Sequence, residues 1–215
     1  MSYNVHGLRD DRSALATVVR DAQPDIVVVQ EAPRRLRWRA RVAALASSWR
    51  MLYAAGGQPS LGNVIVTSHR VRVLDTWCIR YPLTPGRHMR GAVFARCSVG
   101  GSTVVVAGTH LATDDDERPG QARAFAAAVA AVDDPVIVAA DLNETAGGIS
   151  WTLVAGDLTD PATRPTFPAS SPSRRIDAVF VDPRCTATAS DVTTSEIIVA
   201  ASDHLPVIVD VRLPA

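Results

Sequence analysis

Eight side chains in this sequence could act on one substrate if the fold brought them together: Asn4, Glu31, His110, Asp141, Asn143, Asp177, Asp203 and His204. Glu31, Asp203 and Asn4 offer hard oxygen donors of the kind that hold magnesium or manganese. Asp141 offers a free carboxylate, and Asn143 an amide close by, to aim a water molecule. His110 and His204 offer two imidazoles for the other side of a phosphate. Cysteine takes no part, which disfavours zinc. The three cysteines, Cys78, Cys97 and Cys185, have neither the number nor the spacing of a disulfide framework or a zinc cage.

Placement gives the set its weight. Val136 to Ala140 is an unbroken apolar run that meets Asp141-Leu142-Asn143. Such a run, bounded by polar residues, reads as a strand buried on both faces. A side-chain period of two predicts that Asp141 and Asn143 point the same way at its carboxyl end. Asp25 to Glu31 repeats the pattern, and so does Val104 to His110. Met1 to Val5 reads as the tail of a further strand, ending at Asn4-Val5-His6-Gly7. Few residues precede Asn4, whereas a strand usually runs ~5–6 residues, so this strand is expected to be cut short. Asp and Asn are ordinary turn residues, and a strand-end His or a buried Asp can be structural. The recurrence across several strands is what points to function.

The other elements must position these ends. Asp10-Asp11-Arg12-Ser13 supplies caps for a helix through about Arg20. A second helix is expected from Arg34 to Ser47, its buried stripe being Trp38, Val42, Leu45 and Trp49. Arg34, Arg35, Arg37, Arg39 and Arg41 then fall on its outer faces, as a solvated surface or as a phosphate-gripping patch beside Glu31. Short strands near Met51–Ala54, Asn63–Thr67, Val71–Ile79, Gly91–Val99 and Thr103–Gly108 are joined by Gly- and Pro-bearing turns, which predicts antiparallel pairing. Asp114-Asp115-Asp116 complements the dipole of a helix from about Arg118 to Val132 and needs no catalytic role. A short helix follows near Ile149–Val154. An irregular loop from about Asp160 to Arg175 is expected to be mobile or substrate-facing. Strands at Ile176–Val181, Thr186–Ala189 and Val207–Val211 complete the chain. No internal repeat or linker divides it, so residues 1–215 read as one domain.

The chain has 215 residues, 47% hydrophobic and 20% charged, with 22 basic and 22 acidic residues. That length and composition suit one sizeable globular core. Every basic residue is arginine, so each basic contact is a planar guanidinium suited to phosphate. Zero net charge argues against a general nucleic-acid coat but leaves room for a local patch. No stretch reaches transmembrane length, and no signal peptide is visible. A cytoplasmic monomer is expected.

The order of motifs resembles the endonuclease/exonuclease/phosphatase superfamily, the deoxyribonuclease-like metal-dependent phosphoesterases. The matching pieces are Tyr3-Asn4-Val5-His6, Gln30-Glu31, Gly62-Asn63, Arg90-Gly91-Ala92, Thr109-His110-Leu111, Asp141-Leu142-Asn143, Ile176-Asp177 and Ser202-Asp203-His204-Leu205-Pro206. The resemblance implies an α+β, four-layer α/β/β/α sandwich: two mixed, mainly antiparallel sheets face to face, helices outside, the site at one rim. It implies that Glu31 binds a divalent metal, Mg2+ or Mn2+, helped by Asn4 and Asp203. Asp141 would orient or deprotonate water, and Asn143 would hold it and the phosphate. His204, paired with Asp177, would donate to the phosphate; His110 would do likewise, and Arg90 would add a charge-assisted contact. The chain departs from the nuclease pattern after Glu31, where Ala32 and Pro33 precede the first arginine. No long insertion is available for a DNA-recognition loop.

The expected activity is therefore hydrolysis of a phosphate ester, first of all a phosphodiester in nucleic acid. A phosphatase or phosphodiesterase acting on a phospholipid head group or an inositol or sugar phosphate is the alternative. A catalytically silent binding domain on the same scaffold is the competitor from another class.

Overall fold

The computed structural model describes residues 1–190, 192 and 194–214. Period-two alternation in its strands sorts the apolar side chains onto opposite faces, and the faces then dictate the layers. One sheet has the order β1-β2-β4-β3, from β1 (Ser2–Asn4), β2 (Ile26–Gln30), β3 (Leu52–Gly56) and β4 (Val64–Thr67). The other has the order β5-β6-β7-β8-β9, from β5 (Arg72–Arg80), β6 (Gly91–Val99), β7 (Ser102–His110), β8 (Val136–Asp141) and β9 (Asp177–Val181). Each contains one parallel pair, β1 with β2 and β7 with β8, among antiparallel ones. A hairpin of β10 (Thr186–Ser190) and β11 (Ile208–Arg212) joins the first sheet through a bridge between Ser2 and Val207.

Three cores follow from the alternation. Val28 of β2 and Ile65 of β4 pack between the sheets against Val93, Val104, Val106, Ala139 and Val179. Their neighbours Val27, Val29, Val64 and Val66 face outward, onto α1 (Arg12–Ala22), α2 (Trp38–Ser48) and α5 (Glu196–Ala201). On the other side Val105, Ala107, Val138, Ala140, Ala178 and Phe180 meet α3 (Arg118–Ala130) and α4 (Ile149–Ala155). This is the expected α/β/β/α sandwich. Gly108 leaves no room for a side chain between the sheets: an added Cβ would lie 2.3 Å from Val28 Cγ1.

One local expectation needs correcting, one is narrowed, and one helix is added. The second helix begins at Trp38, not Arg34. Pro33 precedes the segment, Arg37 is left-handed at φ 56° with no side-chain cap, and Arg34 turns back to donate to the carbonyls of Leu61 and Met89 at 2.9 and 3.3 Å. Only Arg39 and Arg41 of the five arginines lie on the helix. The residue 160–175 loop is tied down: the Thr166 and Phe167 amides reach Arg174 O, Leu205 N reaches Thr166 O, and Ala169 N reaches Asp203 O. Those bonds fix the loop to the segment carrying Asp203 and His204. Helix α5 was not foreseen; it is short, and Ser195 caps it by accepting from Ile198 N.

Candidate functional site

Strand register assembles the first part of the site. In the second sheet His110 of β7 lies opposite Asp141 of β8, which lies opposite Asp177 of β9. Asp141 shares the parity of Ala139, so it faces the other sheet. From that sheet Asn4 of β1 reaches across and donates its Nδ2 to Asp141 Oδ2 at 2.8 Å. The same Oδ2 is 3.4 Å from His110 Nε2 and 3.9 Å from His204 Nε2. Three distant segments therefore converge on one carboxylate oxygen carried by a fourth.

The Ser202-Asp203-His204 turn is locked in place by Ser202. Its Oγ donates to Asn4 O at 2.7 Å and accepts from His204 N at 3.3 Å. His204 Nδ1 then meets Asp177 Oδ2 at 2.9 Å. Phe167 flanks His204, with ring centroids 4.9 Å apart. The donor atoms of Asp141, Asp177 and His204 lie within 4.8 Å of one another, close enough to surround a cation. Within this group the His204 Nδ1–Asp177 bond already engages one donor atom of each partner.

Asn143 arrives by a different route from the alternation expected of it. The strand stops at Asp141, and Asn143 takes a left-handed φ of 51°. Its amide donates to Asp141 Oδ1 at 3.0 Å, closing a turn of the kind Asp favours. Its Nδ2 donates to Leu111 O and to His110 Nε2, both at 3.0 Å. Because an amide NH2 can only donate, His110 Nε2 is an acceptor here.

Burial and charge set the protonation states. Burial, and next the charge of Asp177, raise Asp141 to about 7, against the pull of His204, Asn4 and the Asn143 amide. Burial alone would lower His204, but the charge and hydrogen bond of Asp177, with Asp141 and Asp203, raise it to about 9. Burial and then the Arg90 charge hold His110 well below its ordinary value, in keeping with an acceptor imidazole. The site thus pairs a carboxylate near neutrality with a charged imidazole.

Glu31 follows β2 in a left-handed turn at φ 56°, held by Ala32 N donating to Gly62 O at 2.8 Å. Its Oε1 is 3.4 Å from Asn4 Nδ2. Arg90 is largely buried, its Nε has no hydrogen-bond partner among the described residues, and it feels the charges of Asp141 and Glu31. Burial lowers its pKa; those two carboxylates oppose the shift. Arg34, which the sequence placed on a helix face, also bears on Arg90 and His110 through its charge. Asn63 plays a structural part, donating to Ser60 O and Gly91 O at 2.9 Å each. Asp203 turns toward His6 and Asp10, and the three donor atoms lie within 4.8 Å of one another. Neither His6 nor Asp10 was singled out from sequence, although His6 stands two residues from Asn4.

The donor set suits a hard divalent cation of the family's kind. Glu31 presents a carboxylate, and Asp203 Oδ1 is buried without a hydrogen-bond partner among the described residues. An orphaned carboxylate oxygen of that sort is expected where an ion binds.

A family model described as Endonuclease/Exonuclease/phosphatase family matches residues 1–204. No curated protein matches the chain. Among solved structures, a mannosyl-6-phosphatase of Bacteroides thetaiotaomicron superposes with a TM-score of 0.80 at 16% identity, covering 99% of this chain and 98% of that one. D. rerio TDP2 complexed with single strand DNA product gives 0.73 at 22%, covering 94% of each chain. ANGEL2, a 2',3'-cyclic phosphatase, gives 0.74 at 13%, covering 94% and 86%. Likeness at these identities speaks to the fold. Among the described residues no helix is long and apolar enough to cross a membrane.

Proposed function

Because this chain belongs to the endonuclease/exonuclease/phosphatase family, and so to the phosphoester hydrolases, we propose that it hydrolyses phosphodiester bonds with a divalent cation, and that its substrate is nucleic acid. The observation that carries the reading is the convergence of Asn4, His110 and His204 on Asp141 Oδ2, at 2.8, 3.4 and 3.9 Å.

Asp141, ionised above about 7, accepts the proton of an attacking water. Asn143, anchored through its Nδ2 to Leu111 O and His110 Nε2, holds its amide oxygen free to position that water or a phosphate oxygen. His204, charged below about 9, donates from Nε2 while Asp177 fixes the ring through Nδ1. A general acid and base of this kind are each worth roughly 10²–10⁴ in rate. Proton donation falls to His204, since His110 Nε2 accepts from Asn143; His110 orders Asn143 instead. Arg90 supplies a guanidinium for the charge that builds on the phosphoryl oxygens. Glu31, with Asn4 and Asp203, would hold Mg2+ or Mn2+, which when bound neutralises phosphoryl charge and activates water.

Nucleic acid is favoured by Phe167. Its half-buried ring stands beside His204, and the exposed Arg174 guanidinium lies 5.9 Å from the ring centroid. A ring and a guanidinium at the edge of a phosphate site suit a stacked base. A sugar-phosphate monoesterase is the second reading, favoured by the 0.80 superposition on a mannosyl-6-phosphatase.

The test is hydrolysis of supercoiled plasmid, single-stranded RNA, an activated bis-aryl phosphate and a hexose 6-phosphate, with Mg2+ or Mn2+ and with chelator. Metal-dependent cutting of a nucleic acid, lost in an Asp141→Ala, His204→Ala double variant, is the expected result. Turnover of the hexose phosphate alone would install the second reading. Turnover indistinguishable from the double variant on every substrate would leave only a silent scaffold.

A further inference from the structure

Beside the hydrolytic site lies a second group of potential ligands, His6, Asp10 and Asp203, all half-buried, of which that site uses only Asp203. His6 begins a tight left-handed turn, with φ of 44° at His6, 64° at Gly7 and 59° at Leu8. Asn4 Oδ1 accepts from His6 N at 3.0 Å, and Leu8 N returns to Val5 O at 2.7 Å. The turn carries the imidazole to the rim. There Nδ1 lies 2.8 Å from Asp10 Oδ2 and Nε2 lies 3.7 Å from Asp203 Oδ2.

The two ring nitrogens stand in different relations. The Nδ1 contact is a full hydrogen bond, and it places the proton of a neutral imidazole on Nδ1, facing Asp10. The Nε2 lone pair then faces a carboxylate across a gap too long for a hydrogen bond. Two donors on one ion with bonds of about 2.1 Å stand about 3–4 Å apart, which is the gap observed. The arrangement is the carboxylate–imidazole–metal relay in which an outer acid orients the ligand and raises its basicity. An independent observation agrees. The Tyr3 side chain is 1% exposed, and its hydroxyl has no hydrogen-bond partner among the described residues. That hydroxyl lies near enough to Asp10 and Asp203 to feel both charges. A buried phenol without a partner beside two carboxylates is what a bound ion's water shell would satisfy. Asp203 Oδ1 is orphaned in the same way.

We infer that His6 and Asp203, with Asp10 orienting His6, bind a divalent first-row transition ion through an imidazole nitrogen and a carboxylate. An imidazole ligand selects Mn2+, Fe2+ or Zn2+ over Mg2+. The hydrolytic reading asked only for oxygen donors at Glu31, Asn4 and Asp203; the imidazole ligand goes beyond it and is measured without any substrate.

The probe is Mn2+ added to the full chain, followed by calorimetry and by pulsed electron paramagnetic resonance for coupling to a ligand nitrogen. Wild type is expected to bind Mn2+ with imidazole coupling that an equal concentration of Mg2+ does not displace. His6→Asn is the informative variant, because Asn tolerates the positive φ at this position; a thermal melt confirms that it is folded. It should lose the coupling. Asp10→Asn should keep the coupling and weaken Mn2+ binding roughly 10–100-fold. His204→Ala should change neither. Mn2+ bound without nitrogen coupling, coupling that survives His6→Asn, displacement by equal Mg2+, or no binding would each overturn the inference. Coupled Mn2+ in a protein that cleaves no phosphate ester would count against the hydrolytic reading alone.

Discussion

Asn4 and Asp141, 137 positions apart in sequence and on different sheets, share a buried hydrogen bond of 2.8 Å at the rim of the sandwich. The bond joins the two sheets at the point where the chemistry is proposed. It also tunes that chemistry, because donation from Asn4 is one of the contacts that pull the Asp141 pKa down against burial and Asp177. Asn4→Ala should therefore move the acid limb of the pH–rate profile above its wild-type position near 7 and slow the reaction at neutral pH. The profile of kcat against pH reads the shift. An acid limb left in place would show that Asp141 is not the base.

The pH dependence of the wild type follows from two groups. Asp141 must lose its proton, so the rate climbs through about 7; His204 must keep its proton, so the rate falls through about 9. The bell should be narrow and alkaline, and its two apparent values belong to the coupled set of Asp141, Asp177 and His204 rather than to single residues. Asp177→Asn removes a negative charge that raises both groups. Both limbs should move to lower pH, with a lower maximum. NMR titration of the His204 ring would show its pKa falling in the same variant; an unmoved ring would remove Asp177 from the mechanism.

Arg90 should be visible in the behaviour of another residue. Its charge is, after burial, the next cause of the low His110 pKa. Arg90→Met should raise the His110 pKa, while kcat/KM falls on the order of 10²-fold as a phosphoryl-facing donor is lost. Arg90→Lys should restore the His110 titration but only part of the rate, since an ammonium lacks the fork that matches phosphate. Full rate in the lysine variant would mean that Arg90 acts only as background charge.

The sequence made the scaffold legible because buried strands have a short vocabulary. Val27-Val28-Val29, Val104-Val105-Val106 and Val136-Ile137-Val138 could be little else, and each of their strands ends at or beside a residue that the structure brings to the rim. Asp177 stood out as an acid at the start of an apolar strand, and His204 through the Ser202-Asp203-His204-Leu205-Pro206 piece. What escaped depended on contacts distant in sequence. Arg34 was read onto a helix because nothing local announces that its guanidinium will bond the carbonyls of Leu61 and Met89. His6 was passed over because its partner Asp203 lies at the far end of the chain. The role of His110 Nε2 as an acceptor depends on a left-handed turn at Asn143, which strand alternation cannot foretell. The 160–175 loop looked free because its tether, the Asp203–Leu205 segment, is built later in the sequence.

Two glycines should respond in opposite directions to the same methyl group. At Gly108 in β7 an added Cβ would stand 2.3 Å from Val28 Cγ1 and 3.2 Å from Val93 Cγ1, so either the Val28 side chain turns or the sheets part. Overpacking of this kind costs about 1–3 kcal/mol, which in a chain of this size lowers Tm by roughly 2–4 °C per kcal/mol. Gly108 lies two residues before His110, and a parting of the sheets also strains the Asn4–Asp141 bond between them, so Gly108→Ala should lose activity along with stability. At Gly120 on α3 a Cβ meets nothing within 4 Å and the backbone is already helical. Gly120→Ala should gain about 0.5–1 kcal/mol through helix propensity and unfolded-state entropy and leave kcat alone. Thermal melts and a single turnover assay on both variants decide the matter: equal melting temperatures would mean that the sheet interface at Gly108 yields freely, and that the spacing between the sheets does not set the geometry at the rim.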